Sequence, residues 1–358
     1  MGWVLIWVPA GWVATGLTGL SNTDVEIVAL GRDVGQTGDL GDVAVPESVA
    51  GVEFYVPSFF PSAAGVAVLR EMPRLKVVQT LTAGVDWLRP HLPPGVALCN
   101  ARGAHDASTA EWVVAAMLGA LRSFPTFTRE QAAGRWAYQA TDQLAGKNVL
   151  IVGYGSIGAA VERRLAGFEV TVTRVARRAR PGVAGLPELA GLLPAADVVV
   201  LLVPATPETA GMADAGFLGR MKDGALLVNA ARGTVVDTSA LVAEVASGRL
   251  RAALDVTDPE PLPPGHPLWS LSGVFVTPHV AASTPVSRQR AARLVREQAE
   301  AYLRGEPLRN VISGAYSQGY PRMCATLPAS AEPASSRDRT CLPVYAHPQP
   351  KRDLGYVE

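Results

Sequence analysis

The chain has 358 residues, 48% of them hydrophobic and only 18% charged, enough for two domains of ordinary size around a sizeable core. Lys plus Arg and Asp plus Glu number 32 each, so there is no global electrostatic case for nucleic acid or an anionic membrane as partner, although a local basic pocket stays open. Three scattered cysteines, Cys99, Cys324 and Cys341, suit neither a disulfide framework nor a zinc site and fit a reducing compartment.

In chain order, the apolar start has no Lys or Arg before it and is interrupted by Pro9 and Gly11. Residues 4–8 therefore read as a first strand rather than a secretory signal. No apolar run approaches the ~18 residues of a membrane span, and the expectation is a cytoplasmic protein. Short β-rich runs at 25–30, 53–56, 77–80 and 96–98 follow, with a helix-like stretch at 63–72 closed by Pro73. Residues 108–122 predict a helix, with Ser108 or Thr109 as its cap, Glu111 in its first turn and an apolar stripe through Val113, Val114, Met117, Leu118 and Leu121. A second alternating unit begins with a strand at 148–152 and a helix at 159–166, then strands at 170–175, 197–203, 225–229, 252–256 and 274–277. Runs such as Val198-Val199-Val200-Leu201-Leu202-Val203 lack period-two alternation, which fits parallel strands covered on both faces. Residues 284–304 predict a long amphipathic helix. Residues 314–358, rich in Pro, Ser, Ala and Arg without periodicity, read as a disordered or atypical tail.

Between the strand at 148–152 and the helix after it stands Gly153-Tyr154-Gly155-Ser156-Ile157-Gly158. The first glycine permits a tight turn, the second lets backbone approach a pyrophosphate, and the third allows close strand–helix packing. The helix N-terminus at Ser156 and Ile157 adds amide donors, so the turn predicts a dinucleotide. The next strand should end in an acid that bonds a ribose hydroxyl, yet Arg174, Arg177 and Arg178 occupy that stretch instead. Guanidinium groups match phosphate oxygens, so NADP is expected ahead of NAD, with NAD still open.

Three residues supply chemistry beside that turn. Arg232 follows a strand and can clamp a substrate carboxylate at the crevice where strand C-termini open. His279 follows another and is suited to give a proton to the alkoxide that hydride transfer leaves on a carbonyl. Glu260, between them, is expected to favour the charged imidazolium. Each alone has a structural explanation; together, after consecutive strands, they point to hydride transfer onto a 2-keto acid. Asp255, Asp258, Glu260 and His266 lack metal-ligand spacing, and no metal is expected.

These residues carry a resemblance to the D-isomer-specific 2-hydroxyacid dehydrogenases over roughly residues 4–313. It rests on Gly146-Lys147-Asn148-Val149-Leu150-Ile151-Val152-Gly153, Pro204-Ala205-Thr206-Pro207-Glu208-Thr209, Val228-Asn229-Ala230-Ala231-Arg232-Gly233 and Thr277-Pro278-His279. The resemblance implies that Arg232, Glu260 and His279 are the catalytic triad, that Asp255 orients the nicotinamide carboxamide, and that Pro204 and the backbone near Ala231 touch cofactor. It implies that the amides of Gly84 and Val85, in Leu81-Thr82-Ala83-Gly84-Val85-Asp86, hold the substrate carboxylate, and that the protein is a homodimer. The implied fold is α/β: two doubly wound parallel-sheet, Rossmann-like domains with a cleft between them. Residues 1–100 plus 283–313 would bind substrate and 101–282 the dinucleotide. Ala281-Ala282 replaces a small-residue pair with glycine, which would tighten the nicotinamide site. Glu260 stands where formate dehydrogenases carry glutamine and argues against formate. No regulatory domain is recognised after the core, which disfavours regulated phosphoglycerate dehydrogenases, and a shifted reading frame would account for the tail. The implied substrate is a small 2-keto acid such as glyoxylate or hydroxypyruvate. Tyr55, Phe59, Phe60, Trp87 and Trp136 are candidates to line its pocket, although core packing suits most of them. The alternative is a nucleotide-sensing, co-repressor-like binding protein of the same fold, or a degenerate relative without a substrate.

Overall fold

The computed structural model describes residues 4–9, 11–20, 25–29, 45, 47–59 and 63–313. The expected tail at 314–358, together with Leu30, Phe60, Cys324 and Cys341, lies outside the described residues. The first half runs β1 (Val4–Val8), α1 (Gly11–Gly16), β2 (Val25–Ala29), β3 (Val52–Tyr55), α2 (Ala63–Ala67), β4 (Val77–Gln79), β5 (Ala97–Cys99), α3 (Asp106–Leu121) and α4 (Phe124–Ala132). The second runs β6 (Asn148–Val152), α5 (Ser156–Leu165), β7 (Thr171–Ala176), β8 (Ala184–Gly185), α6 (Leu189–Leu192), β9 (Val198–Leu201), α7 (Ala215–Arg220), β10 (Leu226–Asn229), α8 (Thr238–Ala246), β11 (Arg251–Leu254), β12 (Val274–Val276), α9 (Pro285–Leu303) and β13 (Val311–Ser313).

Among the described residues these strands build two sheets, ordered β2-β1-β3-β4-β5-β13 and β8-β7-β6-β9-β10-β11-β12. Every pairing is parallel except the edge strand β13, which runs antiparallel to β5 with Val311 opposite Cys99. Both orders reverse at an inner strand, the doubly wound arrangement. Alternate residues of one strand feed opposite faces, and both faces are covered. Ile6 and Val8 pack with Val13, Ala291, Val295 and Ala299, whereas Leu5 and Trp7 pack with Val68, Leu69 and Leu88. In the second sheet Val149 and Ile151 meet α3 and α5 through Val113, Met117 and Val161, while Leu150 and Val152 meet Phe217, Leu218 and Leu241. Each fully buried Val or Leu of this kind contributes roughly 1.5–3 kcal/mol.

Several expectations shift. Helix α3 starts at Asp106, so His105 is its N-cap and Asp106, not Glu111, stands in the first turn. Ser108 and Thr109 are buried inside the helix; the Ser108 hydroxyl is engaged by the His105 carbonyl and by Ser287 and is not spare for capping. The stretch at 63–72 is helical only to Ala67 before tightening into a 3-10 turn over Val68–Glu71. Helices α1, α4, α7 and α8 lie where none was expected. No helix of the described residues is long and apolar enough to cross a membrane.

Candidate active site

Because the second sheet is parallel, the C-terminal ends of its strands share one edge, and the glycine turn, Pro204, Ala231, Arg232, Asp255, Glu260 and His279 follow such ends. After β6, the amides of Gly153 and Tyr154 both donate to the Val175 carbonyl (2.9 and 2.8 Å), which closes the turn. Gly153 has φ +102°, and a Cβ there would stand 2.5 Å from the Leu202 carbonyl carbon. A Cβ on Gly158 would press on Ile151 at 3.2 Å. Around the position a Cβ of Gly155 would take, no described residue beyond its chain neighbours lies within 4 Å, so its backbone is open to an approaching diphosphate at the mouth of α5. The turn therefore fits the dinucleotide that its sequence implies. Ser156 is also held, its hydroxyl donating to Asp106 at 3.2 Å.

The three arginines separate. Arg174 lies inside β7 and forms a two-pronged pair with Glu162, whose carboxylate also takes the Tyr154 hydroxyl. That guanidinium holds the carboxylate below its usual range. Arg174 is thus committed to the protein, which corrects its expected place among the phosphate ligands. Arg177 and Arg178, past the strand end, are exposed and form no ion pair among the described residues. Arg180, absent from the expected set, donates to the Tyr154 carbonyl at 2.7 Å, with its guanidinium 5.8 Å from the Tyr154 ring centre. After β9, Thr209 explains the Pro204–Thr209 motif: its hydroxyl donates to the Pro204 carbonyl (2.6 Å) and accepts from the Thr206 amide (2.9 Å).

After β10, buried Asn229 brackets the next residues, accepting from the Ala231 amide at 3.0 Å and donating to the Arg232 carbonyl at 2.9 Å. Gly233 is obligatory in a different way: a Cβ there would sit 1.9 Å from the Thr257 carbonyl oxygen. The Arg232 guanidinium donates to its neighbour Ala231 at 2.8 Å and faces Asp86 through Nη2 (3.3 Å) and Nε (3.5 Å). Two of its five N–H donors are in hydrogen bonds, leaving three. It rests on Gly84, where a Cβ would fall 1.7 Å from Nη2. In that loop the carbonyls of Ala83, Gly84 and Val85 accept from Asn100, Thr82 and the Leu88 and Arg89 amides. The amides of Gly84 and Val85 have no partner among the described residues.

After β11 and β12 the chain builds the His279–Glu260 pair, Nδ1 to Oε1, 2.6 Å apart. A carboxylate can only accept, so Nδ1 carries hydrogen toward Glu260 and Nε2 lies on the far side of the ring. His279 has φ +53°, an uncommon conformation for a side-chain-bearing residue, and Asp255 imposes it. The buried Asp255 carboxylate accepts from the Thr277 hydroxyl (2.6 Å) and the amides of Val280 (2.8 Å) and Ala281 (2.9 Å), while its own carbonyl takes the His279 amide (2.8 Å).

These groups line a single cavity of about 610 Å³ with Gly84, Arg232, Asp255, Glu260 and His279 on its wall and Ile157 of the glycine turn beside them. That is within the ~300–1,000 Å³ of small-molecule sites. Phe59 and Trp87 line it too, whereas Tyr55 is in the core and Trp136 is 97% exposed. His105, Asp86 and Arg288 are further lining groups that the sequence reading missed. His105 donates from Nε2 to the Leu81 carbonyl (2.7 Å), and burial pushes its imidazole below the usual range.

Residues 114–281 match the family model "D-isomer specific 2-hydroxyacid dehydrogenase, NAD binding domain". A glyoxylate reductase from Thermofilum pendens is 34% identical over 256 residues, covering 67% of this chain and 75% of that protein. A D-3-phosphoglycerate dehydrogenase from Archaeoglobus fulgidus is 34% identical over 69% of this chain, which spans only 49% of that relative's length. A crystal structure of a D-isomer specific 2-hydroxyacid dehydrogenase from Xanthobacter autotrophicus Py2, in complex with NADPH and MES, is 33% identical with a TM-score of 0.70, over 86% of this chain and 98% of that one. In fold and along most of its length, the chain belongs to the D-isomer specific 2-hydroxyacid dehydrogenase family.

Proposed function

We propose that this protein is an NADP(H)-preferring reductase of small 2-keto acids, of the glyoxylate and hydroxypyruvate kind, acting as a cytoplasmic homodimer. The observation that carries this reading is the meeting of Arg232, the Gly84 loop and the His279–Glu260 pair in one cavity beside the glycine turn. Residues 1–100 plus 283–313 serve substrate and 101–282 the cofactor. Gly153, Gly155, Ser156, Ile157 and Gly158 would cradle its diphosphate, Arg177 and Arg178 its ribose phosphate, and Pro204, Ala231 and Asp255 its nicotinamide end. When bound there, the reduced nicotinamide supplies the hydride for the keto carbon.

The chain's own residues do the rest. The remaining donors of Arg232 and the amides of Gly84 and Val85 grip the substrate carboxylate and fix the carbonyl beside it. His279 holds a proton at Nε2 and passes it to the carbonyl oxygen as that oxygen gains charge. Glu260 holds the ring in the tautomer and orientation that this transfer needs. In the oxidative direction the neutral imidazole takes the hydroxyl proton. Support for the cofactor comes from the Xanthobacter relative, which holds NADPH. Support for the dimer comes from Phe124, Trp136 and Tyr138, which expose large apolar surface on one stretch of chain.

The test is turnover of glyoxylate, hydroxypyruvate, pyruvate and 3-phosphohydroxypyruvate, each with NADPH and with NADH. Efficient reduction of the small keto acids, with higher kcat/KM on NADPH, is expected. Tight cofactor binding with no turnover of any acid would overturn the enzyme reading in favour of a nucleotide sensor.

A further inference from the structure

The cavity holds a cation that the chemistry at the carbonyl does not use. Arg232 faces Asp86 at 3.3 Å, Glu260 holds His279 at 2.6 Å, and Asp255 is occupied by Thr277, Val280 and Ala281. Arg288 lines the same cavity, half-buried, and its guanidinium has neither a hydrogen bond nor an ion pair among the described residues. Its backbone amide donates to the Thr284 carbonyl at 3.1 Å. A guanidinium keeps its charge and presents five donors in a rigid fork, so withdrawing it from water without a partner is unfavourable.

The residue stands on a fixed base. It lies in the first turn of α9, which Thr284 caps through the Ser287 amide at 3.1 Å. Ser287 beside it is buried and bonded to Ser108 at 2.7 Å, and Ala291, Val295 and Ala299 anchor the helix in the core. A cation mounted this firmly on the wall of a ligand cavity is positioned for recognition rather than for solubility. His105 does not duplicate it, because burial disfavours its charged form.

We propose that Arg288 is a second anion anchor, which binds the end of the substrate remote from the reacting carbonyl. It follows that the preferred substrate is a 2-keto acid bearing a second, distal anionic group, either a carboxylate or a phosphoryl ester. The inference rests on the 2-keto-acid reading above and revises its substrate: glyoxylate and hydroxypyruvate, which carry no second anion, become the poorer members of the class. Arg232 and the Gly84 loop hold the carboxylate beside the carbonyl, and Arg288 selects by what lies at the other end.

Matched pairs test it: oxaloacetate against 2-oxobutyrate for the carboxylate, and 3-phosphohydroxypyruvate against hydroxypyruvate for the phosphoryl group. The ratio of kcat/KM, anionic over neutral, is expected to favour the anionic member in at least one pair by about tenfold or more, mainly through KM. The favoured pair identifies which anion is read. In Arg288→Gln that ratio should collapse toward unity, and Arg288→Lys should restore part of it. A wild-type enzyme indifferent to the distal charge in both pairs, or a ratio identical in wild type and Arg288→Gln, would overturn the proposal. Should no keto acid be turned over, the reductase reading fails separately. Calorimetric binding to the NADP-loaded protein of D-malate against D-2-hydroxybutyrate, and of D-3-phosphoglycerate against D-glycerate, then decides, with equal Kd values in both pairs ruling the anchor out.

Discussion

Strands β1 and β6 hold equivalent places, each the inner strand at which its sheet reverses the direction of winding, and doubly wound folds bind ligands at such points. After β6 the chain turns through three glycines onto a ten-residue helix whose first turn faces open space above Gly155. After β1 it meets Pro9, which has no N–H to offer, and a six-residue helix. That helix is closed by packing: Val13 and Leu17 are buried, Gly16 lies against Ala292, and Arg296 donates to the carbonyls of Gly16 (3.2 Å) and Thr18 (2.8 Å). Winding alone therefore does not make a nucleotide site; the residues of one turn decide it. The first sheet contributes elsewhere, through the loop after β4, where a missing side chain seats the Arg232 guanidinium.

The largest expected effect separates the two contributions. His279→Ala removes the proposed proton donor, supplied by the second sheet, and should lower kcat by about 10²–10⁴-fold, with Kd for NADPH unchanged. Retained turnover would show that the proton comes from another group on the wall. Gly84→Ala is the first sheet's counterpart. Its new methyl group needs the space of Arg232 Nη2, so KM for the keto acid should rise about tenfold or more while cofactor affinity stays level. A parallel loss of cofactor affinity would mean that the first sheet shapes both ends of the cavity.

A smaller effect is expected at the rim. Replacing Arg177 and Arg178 together by Glu should shift the NADPH over NADH preference by about tenfold, since two phosphate-matching cations become repulsive. Steady-state kinetics with both cofactors measures it. An unchanged preference would move the phosphate contact to Arg180, because Arg174 is held by Glu162.

The sequence made the strands of the second sheet other than β8, the glycine turn and the positions of Arg232, Glu260 and His279 legible because each is local: an apolar run, a turn with a fixed glycine spacing, a charged residue after a strand. Helices α7 and α8 were legible in principle, as Asp214 and Asp237 cap them by accepting from the amides of Phe217 (2.8 Å) and Ala240 (3.0 Å). Helix α4 was hidden by Pro125 in its first turn and by Ser123 before it at φ +56°. What could not be read is whatever depends on distant parts meeting. Asp86 reaches Arg232 across 146 residues, and Arg288 enters the cavity only because α9 returns to the first sheet. Arg174 was misplaced for the same reason, since its partner Glu162 comes from the helix laid beside its strand.

That last pair gives the smallest effect and the most direct comparison of how the two switch points are secured. The carboxylate of Glu162 gathers Arg174 and the Tyr154 hydroxyl, so one ionised group pins the residue between Gly153 and Gly155; the equivalent corner of the first sheet is pinned by packing and by Arg296 on carbonyls, which do not titrate in this range. Glu162 is held below its usual 4.5, chiefly by hydrogen bonding to Arg174. A carboxylate lowered in the folded state contributes its stabilisation in full above that usual value and loses it as pH falls through the lowered one. The pair is partly exposed, so Glu162→Gln should cost only about 1 kcal/mol at neutral pH. Thermal unfolding below about pH 4.5 should then show the wild type losing stability with a steeper slope than the variant, the two curves converging in acid. Addition of NADPH should widen the neutral-pH gap between them, since the pinned turn is the one proposed to bind it. Parallel curves at every pH would mean that the glycine turn is secured by packing after all, as its counterpart at β1 is.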